Sequence, residues 1–208
     1  MEIQYLGHAG FRLRHKGVEI VIDPYFSGGS ELDPRTLTPQ FILITHEHFD
    51  HCDVPVVKML ARKNKSKIIG PPPVERKLVE KIVKVRPGNK LDYDKFSLRV
   101  EPAFHHQSEF PVGYLLDFEG LRVYHAGDTY YNKELAKINT DVALLPIGGH
   151  FTMNIDEALK LVEEMSPRIV IPMHYNTFEQ IRADPMEMAK RNEKVVVLEP
   201  GEVLEVSQ

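Results

Sequence analysis

The sequence predicts an α/β protein with two β-sheets that helices cover on both outer faces. Short apolar runs of strand length dominate the chain, and helical patterns interrupt them near the start, in the middle and near the end. The 208 residues are 42% hydrophobic and 27% charged, which is the composition of a globular domain. Neither a repeat nor a linker divides the chain, so we expect one domain over residues 1–208.

The predicted strands are the apolar runs of three to six residues. They are Ile3 to Leu6, Phe11 to Leu13, Val18 to Ile22, Phe41 to Ile44, Lys67 to Ile69, Leu98 to Ala103, Gly113 to Phe118, Leu121 to Tyr124, Val142 to Leu145, Ile169 to Pro172 and Val195 to Leu198. The residues Asp117 to Leu121 are typical of a hairpin turn between two of these strands.

The predicted helices are fewer. They are Val54 to Arg62, Val74 to Val83, a short one near Lys133 to Ile138, Ile155 to Met165 and one near Pro185 to Asn192. Asn154 and Glu157 mark the fourth helix best, because they form a capping-box pattern. Two stretches favour neither helix nor strand, Tyr25 to Gln40 and His105 to Pro111, and we expect both to border a substrate cleft.

Charge and composition exclude several classes of protein. Lys and Arg total 26 against 30 Asp and Glu, so the formal charge is −4, which disfavours nucleic acid as a partner without excluding it. The apolar runs are far shorter than the ~20 residues of a membrane-spanning helix. The N-terminus lacks a signal-peptide pattern and Cys52 is the single cysteine, which together indicate a cytoplasmic protein. We expect Cys52 to pack in the core.

The strongest motif is H-x-H-x-D-H over His46 to His51, directly after the predicted strand Phe41 to Ile44. Residues two apart on an extended segment point the same way, so His46 and His48 can converge on one ion. Asp50 and His51 then face a second position. Imidazole and carboxylate together suit zinc, and also iron or manganese. The alternative interpretation is a loop of solvated histidines.

Three more predicted strands end in residues that can bind a metal. His105 and His106 follow one, His125 and Asp128 follow another, and His174 follows the third. Because sites assemble at strand ends, these residues could meet the first motif at one edge. His46, His48 and His105 would hold one ion, Asp50, His51 and His174 the other, with Asp128 between them. Spacing alone leaves His105 and His106 open.

The sequence resembles the metallo-β-lactamase fold superfamily, whose five motifs are matched in order by Asp23, His46 to His51, His105, Asp128 and His174. It is most similar to small metal-dependent hydrolases of the ascorbate-6-phosphate lactonase-like group. The segments that carry this similarity are Gly7 to Gly10, His125 to Thr129, Leu145 to Gly149 and Pro172 to Thr177. The resemblance implies a four-layer αββα sandwich of two mixed β-sheets flanked by helices, with a dinuclear metal site at one edge. It also favours His105 over His106.

The remaining polar residues have structural interpretations as well as functional ones. Asp23 is expected to orient a ligand histidine rather than to bind metal. We expect His125 to stack behind the site as a core histidine. His8 and His150 could reach a substrate or simply pack.

These residues predict a hydrolase that binds two divalent ions. Zn is the favoured metal, with Mn or Fe as alternatives. A metal-bound hydroxide would attack an ester, lactone or phosphodiester bond of a small anionic substrate, with Asp50 and Asp128 as the catalytic carboxylates. Two other interpretations stay open, an iron-dependent redox enzyme on the same fold and a non-catalytic metal-binding module. The sequence also leaves a homo-oligomer open.

Overall fold

The computed structural model describes residues 1–27 and 31–207. Residues 28–30, part of the predicted loop from Tyr25 to Gln40, therefore lie outside the described residues. The chain forms two compact units, and each unit contains one β-sheet. Unit 1 comprises Met1–Arg86, Ser108–Phe110 and Leu198–Gln208, and unit 2 comprises Pro87–Gln107 and Pro111–Val197.

Unit 1 is built around a mixed seven-stranded sheet. Its strands, numbered in chain order, are β1 (Glu2–Gly7), β2 (Gly10–His15), β3 (Val18–Ile22), β4 (Phe41–Leu43), β5 (Lys67–Gly70), β6 (Val83–Lys84) and β13 (Val203–Glu205). Their order across the sheet is β13-β1-β2-β3-β4-β5-β6. The strands from β13 to β3 pair antiparallel and those from β3 to β6 pair parallel, so β3 and β4 end at the same edge.

Two helices pack in unit 1, α1 (Val54–Asn64) and α2 (Pro72–Leu78). Each has proline in its first turn, where the missing N–H costs no intrahelical bond. Asp53 caps α1 by accepting a hydrogen bond from the N–H of Val56. The apolar faces of both helices lie in one hydrophobic cluster, which also contains Cys52, so the predicted packing role of this cysteine is confirmed.

Unit 2 is built around a mixed six-stranded sheet. Its strands are β7 (Lys90–Asp92), β8 (Ser97–Pro102), β9 (Val112–Phe118), β10 (Leu121–His125), β11 (Val142–Pro146) and β12 (Ile169–Met173). They follow one another in the order β12-β11-β10-β9-β8-β7. β10, β11 and β12 run parallel, so all three end at one edge.

The helices of unit 2 are α3 (Ile155–Met165) and α4 (Pro185–Arg191). The predicted capping box is confirmed, because Asn154 accepts from the N–H of Glu157 while the Glu157 side chain accepts from the N–H of Asn154. The predicted hairpin is also confirmed: Glu119 and Gly120 both have positive φ, as the tight turn between β9 and β10 requires. The described helices reach 11 residues at most, and none could cross a membrane.

Several sequence predictions of secondary structure are wrong in detail. The predicted helix Val74 to Val83 ends at Leu78, because Val79 adopts a left-handed conformation and closes the helix. The predicted strand Val195 to Leu198 contributes only an isolated bridge, between Val195 and Val170. The segment near Lys133 to Ile138 forms only a short 3-10 helix, Leu135–Lys137. The short strands β6, β7 and β13 were not predicted.

Candidate metal centre

The H-x-H-x-D-H motif forms the loop between β4 and α1 in unit 1. The loop turns back on itself, and the N–H groups of His51 and Cys52 both donate to the carbonyl of His48. His46 and His51 are fully buried, whereas Asp50 keeps part of its side chain accessible to water. The loop therefore gathers buried histidines beside one accessible carboxylate.

Asp23 lies at the neighbouring strand end, directly after β3. Its own N–H donates to the carbonyl of Leu43, the last residue of β4, which holds the two strand ends together. The Asp23 carboxylate is completely buried and accepts a hydrogen bond from His51 Nδ1 at 2.8 Å. An orienting role for Asp23, which the sequence analysis expects, requires such a contact.

His46 and His48 point ring nitrogens at each other. The distance from His46 Nε2 to His48 Nδ1 is 3.1 Å. That distance suits a hydrogen bond, and it is also close to the roughly 3.3 Å between two nitrogen ligands on a tetrahedral zinc ion. The other nitrogen of His46, Nδ1, lies 3.0 Å from the hydroxyl oxygen of Thr45.

His8 joins the second half of the motif. It follows β1 with a positive φ, and its Nε2 lies 3.1 Å from Asp50 Oδ2. Each of His8, Asp50 and His51 offers one ligand atom, and these atoms lie within 4.8 Å of one another. The structure thus brings His8 next to Asp50, where it can hold that carboxylate or help to bind an ion.

Glu47 holds part of the loop from His105 to Pro111. Its carboxylate accepts hydrogen bonds from the Ser108 hydroxyl at 2.8 Å and from the N–H of Glu109 at 3.3 Å. Burial acts to raise the pKa of Glu47, but these bonds, together with one from its own backbone N–H, outweigh it and hold that pKa below its usual value. Glu47 is therefore an ionised acceptor that ties Ser108 and Glu109 to the motif loop.

Unit 2 brings together three of the predicted ligands, which follow β8, β10 and β12. Asp128 Oδ2 lies 3.2 Å from His174 Nε2 and 3.8 Å from His105 Nε2. All three side chains are buried, with at most 3% of each residue exposed. The Asp128 carboxylate thus lies beside both of these histidines.

The other histidines of unit 2 do other things. His106 is exposed and stacks on Tyr130 at 4.6 Å, so the structure places His105, not His106, beside Asp128. His125 is fully buried, and its Nδ1 accepts the N–H of Gly127, which is a structural use of that ring. His150 is exposed and contacts the ring of Phe151.

The donor set fits divalent metal ions. In three of the predicted ligand histidines Nδ1 faces an oxygen atom: Thr45 Oγ1 for His46, Asp23 Oδ2 for His51, and the carbonyl of Phe151 for His105. A proton held on Nδ1 leaves the lone pair on Nε2, which is how metal-binding histidines are generally oriented. Neutral imidazole together with carboxylate is a ligand chemistry that zinc prefers.

Sequence reasoning did not single out Thr45, Glu47 or the carbonyl of Phe151. The position of Thr45 directly before His46 was a local signal that could have found it. The contact between Phe151 and His105 joins residues 46 apart in the chain, and no sequence pattern reports it.

This chain is similar to known metal-dependent hydrolases. The model of the β-lactamase superfamily domain matches residues 2–174. A UPF0173 metal-dependent hydrolase of Thermococcus onnurineus is 36% identical over 99% of this chain and all of its own length. A second one, from Carboxydothermus hydrogenoformans, is 35% identical and covers 98% of this chain and 99% of its own. The solved structure of Igni18, a metallo hydrolase from Ignicoccus hospitalis, superposes with a TM-score of 0.89 at 33% identity and covers 99% of both chains.

The fold class predicted from the sequence is thereby confirmed, with two mixed sheets and flanking helices in the metallo-β-lactamase fold. The similarity is not confined to one motif, because it extends over almost the full length of this chain and of each relative. The chain therefore belongs to the β-lactamase superfamily and, within it, to the family of UPF0173 metal-dependent hydrolases.

Proposed function

We propose that this protein is a dinuclear metal-dependent hydrolase that cleaves an ester, lactone or phosphodiester bond in a small anionic substrate. The observation that carries the proposal is the orientation of His46, His51 and His105, whose Nδ1 atoms each face an oxygen. Three histidines oriented in the same way, two in the motif loop and one after β8, are hard to explain by packing alone.

The proposed ligand set is the one that the sequence predicts. His46, His48 and His105 would hold one ion, Asp50, His51 and His174 the other, and Asp128 would bridge them. Each ion then has four protein ligands with Asp128 counted twice, which leaves room for water or substrate. Zinc suits this set best, with manganese and iron as alternatives.

Charge favours an anionic substrate. Two divalent ions bring four positive charges and the two carboxylates remove two, so the site would carry about +2 with neutral imidazoles. The net charge of the chain, −4, does not oppose this, because the field near the ions dominates at short range.

The side chains of the protein would hold the reacting groups and the nearby loop in place. When bound, the ions lower the pKa of water enough to supply a nucleophile near neutral pH. Asp50 and Asp128 are the carboxylates that could hold a proton during turnover. His8 Nε2, 3.1 Å from Asp50 Oδ2, would keep the Asp50 carboxylate in place. The bonds from Ser108 and Glu109 to Glu47 would restrain the loop that follows His105.

Metal analysis of a matched pair of variants tests the ligand set. His105→Ala and His106→Ala change neighbouring histidines, of which only His105 lies beside Asp128. After reconstitution with zinc we expect two equivalents per chain in the wild type and in His106→Ala, and fewer in His105→Ala. One equivalent or none in the wild type would contradict a dinuclear site.

Activity is tested with bis(p-nitrophenyl) phosphate, p-nitrophenyl acetate and a panel of lactones. We expect metal-dependent hydrolysis of at least one of them, at least tenfold lower in Asp128→Ala. Iron as the bound metal, with a visible colour and oxygen consumption, would instead support the redox alternative. We also propose a cytoplasmic location, which the single buried cysteine, Cys52, supports.

A further inference from the structure

The Asp23 carboxylate makes three contacts, and two of them use the same oxygen atom. Oδ1 accepts from the N–H of Thr45 at 2.8 Å. Oδ2 accepts from the Thr45 hydroxyl at 2.6 Å and from His51 Nδ1 at 2.8 Å. Every residue in this network is completely buried, so water does not compete for these bonds.

The Thr45 hydroxyl has one hydrogen and two neighbours. Asp23 Oδ2 is the acceptor for this hydroxyl, so the hydroxyl hydrogen points toward it. The hydroxyl oxygen can then accept from its second neighbour, His46 Nδ1, at 3.0 Å. This order of donors puts the proton of neutral His46 on Nδ1 and leaves Nε2 as the acceptor.

The same oxygen therefore sets the proton position in two histidines by two routes. It acts on His51 directly and on His46 through the Thr45 hydroxyl. The proposed function assigns these histidines to different ions, His46 to one and His51 to the other. Removing the Thr45 hydroxyl breaks one route only, whereas changing Asp23 disturbs both.

We propose that Thr45 is a positioning residue for one metal position, and that Asp23 governs both. The proposal rests on the proposed function for the two ions, but the state of the histidines can be measured without any metal. Removal of a partner that orients a ligand histidine lowers metal affinity by about 10- to 100-fold. That loss should fall on a single ion in Thr45→Val and on both ions in Asp23→Asn.

Nitrogen-detected NMR of the metal-free protein near pH 8 tests the proton positions. We expect the rings of His46 and His51 to be protonated at Nδ1 in the wild type. In Thr45→Val the His46 ring should lose this preference while the His51 ring keeps it, and Thr45→Ser should resemble the wild type. A wild-type spectrum with His46 protonated at Nε2 would overturn the proposal.

Zinc titration against a chelating dye tests the consequence for binding. We expect Thr45→Val to weaken one of two sites at least tenfold and to leave the other within threefold, with Thr45→Ser close to the wild type. Equal weakening of both sites, or a Thr45→Ser variant as impaired as Thr45→Val, would overturn it. If Thr45→Val does not fold, the wild-type spectrum and Thr45→Ser decide. A wild type that binds no zinc but shows both rings protonated at Nδ1 would contradict the proposed function. It would still support the proton positions that Asp23 and Thr45 set in His51 and His46.

Discussion

Replacing Asp53 by alanine should destabilise unit 1 strongly, because one buried carboxylate holds two segments together. Asp53 Oδ1 caps α1 through the N–H of Val56 at 3.4 Å. Its Oδ2 accepts from the N–H of Phe26 at 3.3 Å, and from the N–H and the hydroxyl of Ser27 at 3.1 and 2.7 Å. The carboxylate thus fastens the segment that follows Asp23 to the helix that follows the motif loop.

The magnitude follows from these four bonds. Loss of an N-cap costs about 1 kcal/mol. The N–H of Phe26 belongs to a buried residue and would lose its acceptor, which costs about 1 to 3 kcal/mol. Ser27 is exposed, so its two bonds add roughly 1 kcal/mol together. We therefore expect Asp53→Ala to lower the free energy of unfolding by about 3 to 5 kcal/mol.

Urea unfolding followed by circular dichroism measures this loss, with two matched variants. Ser27→Ala removes only the hydroxyl bond and should cost about 1 kcal/mol or less. Asp94→Ala removes an aspartate whose side chain is 86% exposed, so its effect should stay within about 0.5 kcal/mol. A loss below about 1 kcal/mol for Asp53→Ala would refute the reasoning, because the cap alone would account for it.

Three further outcomes can be measured. The hydroxyl of Tyr124 is fully buried and has no hydrogen-bond partner among the described residues. Tyr124→Phe should therefore raise the free energy of unfolding by about 1 kcal/mol. A lower free energy of unfolding in urea would contradict this. Val79 is 82% exposed and has a φ of 51°, in the left-handed region that glycine adopts without strain. Val79→Gly should therefore raise the free energy of unfolding by about 0.5 to 1 kcal/mol and with it the midpoint of thermal unfolding. An unchanged midpoint would show that no strain is relieved. Burial raises the pKa of the Cys52 thiol from 9.0 to about 12, so at pH 8 a thiol reagent should modify it only on unfolding. The folded state keeps the thiol proton to a higher pH than the unfolded state does. The contribution of this group to the free energy of unfolding is therefore complete below pH 9 and is lost as the pH rises toward 12. Rapid labelling of Cys52 in the folded protein at pH 8 would contradict its burial.

The elements that sequence reasoning located well are those whose signals are local. The helix Ile155–Met165 begins and ends where the pattern predicts, because Asn154 and Glu157 cap it within a single turn. The strand Val18–Ile22 likewise has its predicted bounds. The H-x-H-x-D-H motif is also a local signal, because its residue types alone make these side chains candidate metal ligands. The extended segment predicted for it is wrong, because the motif forms bends and turns.

The errors occur where distant packing outweighs local preference. A β-branched residue such as Val79 disfavours the left-handed conformation, so the sequence continues the helix through it. In the structure Leu78 and Ile82 both lie in the core cluster of unit 1, and the turn at Val79 is what separates them. The short strands β7 and β13 form because partners elsewhere in the chain pair with them, although each has only one half-buried residue.

The sequence by itself identified the candidate ligands, but only the tertiary structure decided how each ring is held. Whether His46 presents Nε2 depends on the hydroxyl of Thr45 and on the carboxylate of Asp23, which lies 22 residues before Thr45 in the chain. For His105 the deciding atom is the carbonyl of Phe151, 46 residues away, which distinguishes this ring from the exposed His106 beside it. A proton position is set by the nearest acceptor in space, and chain order does not specify that acceptor.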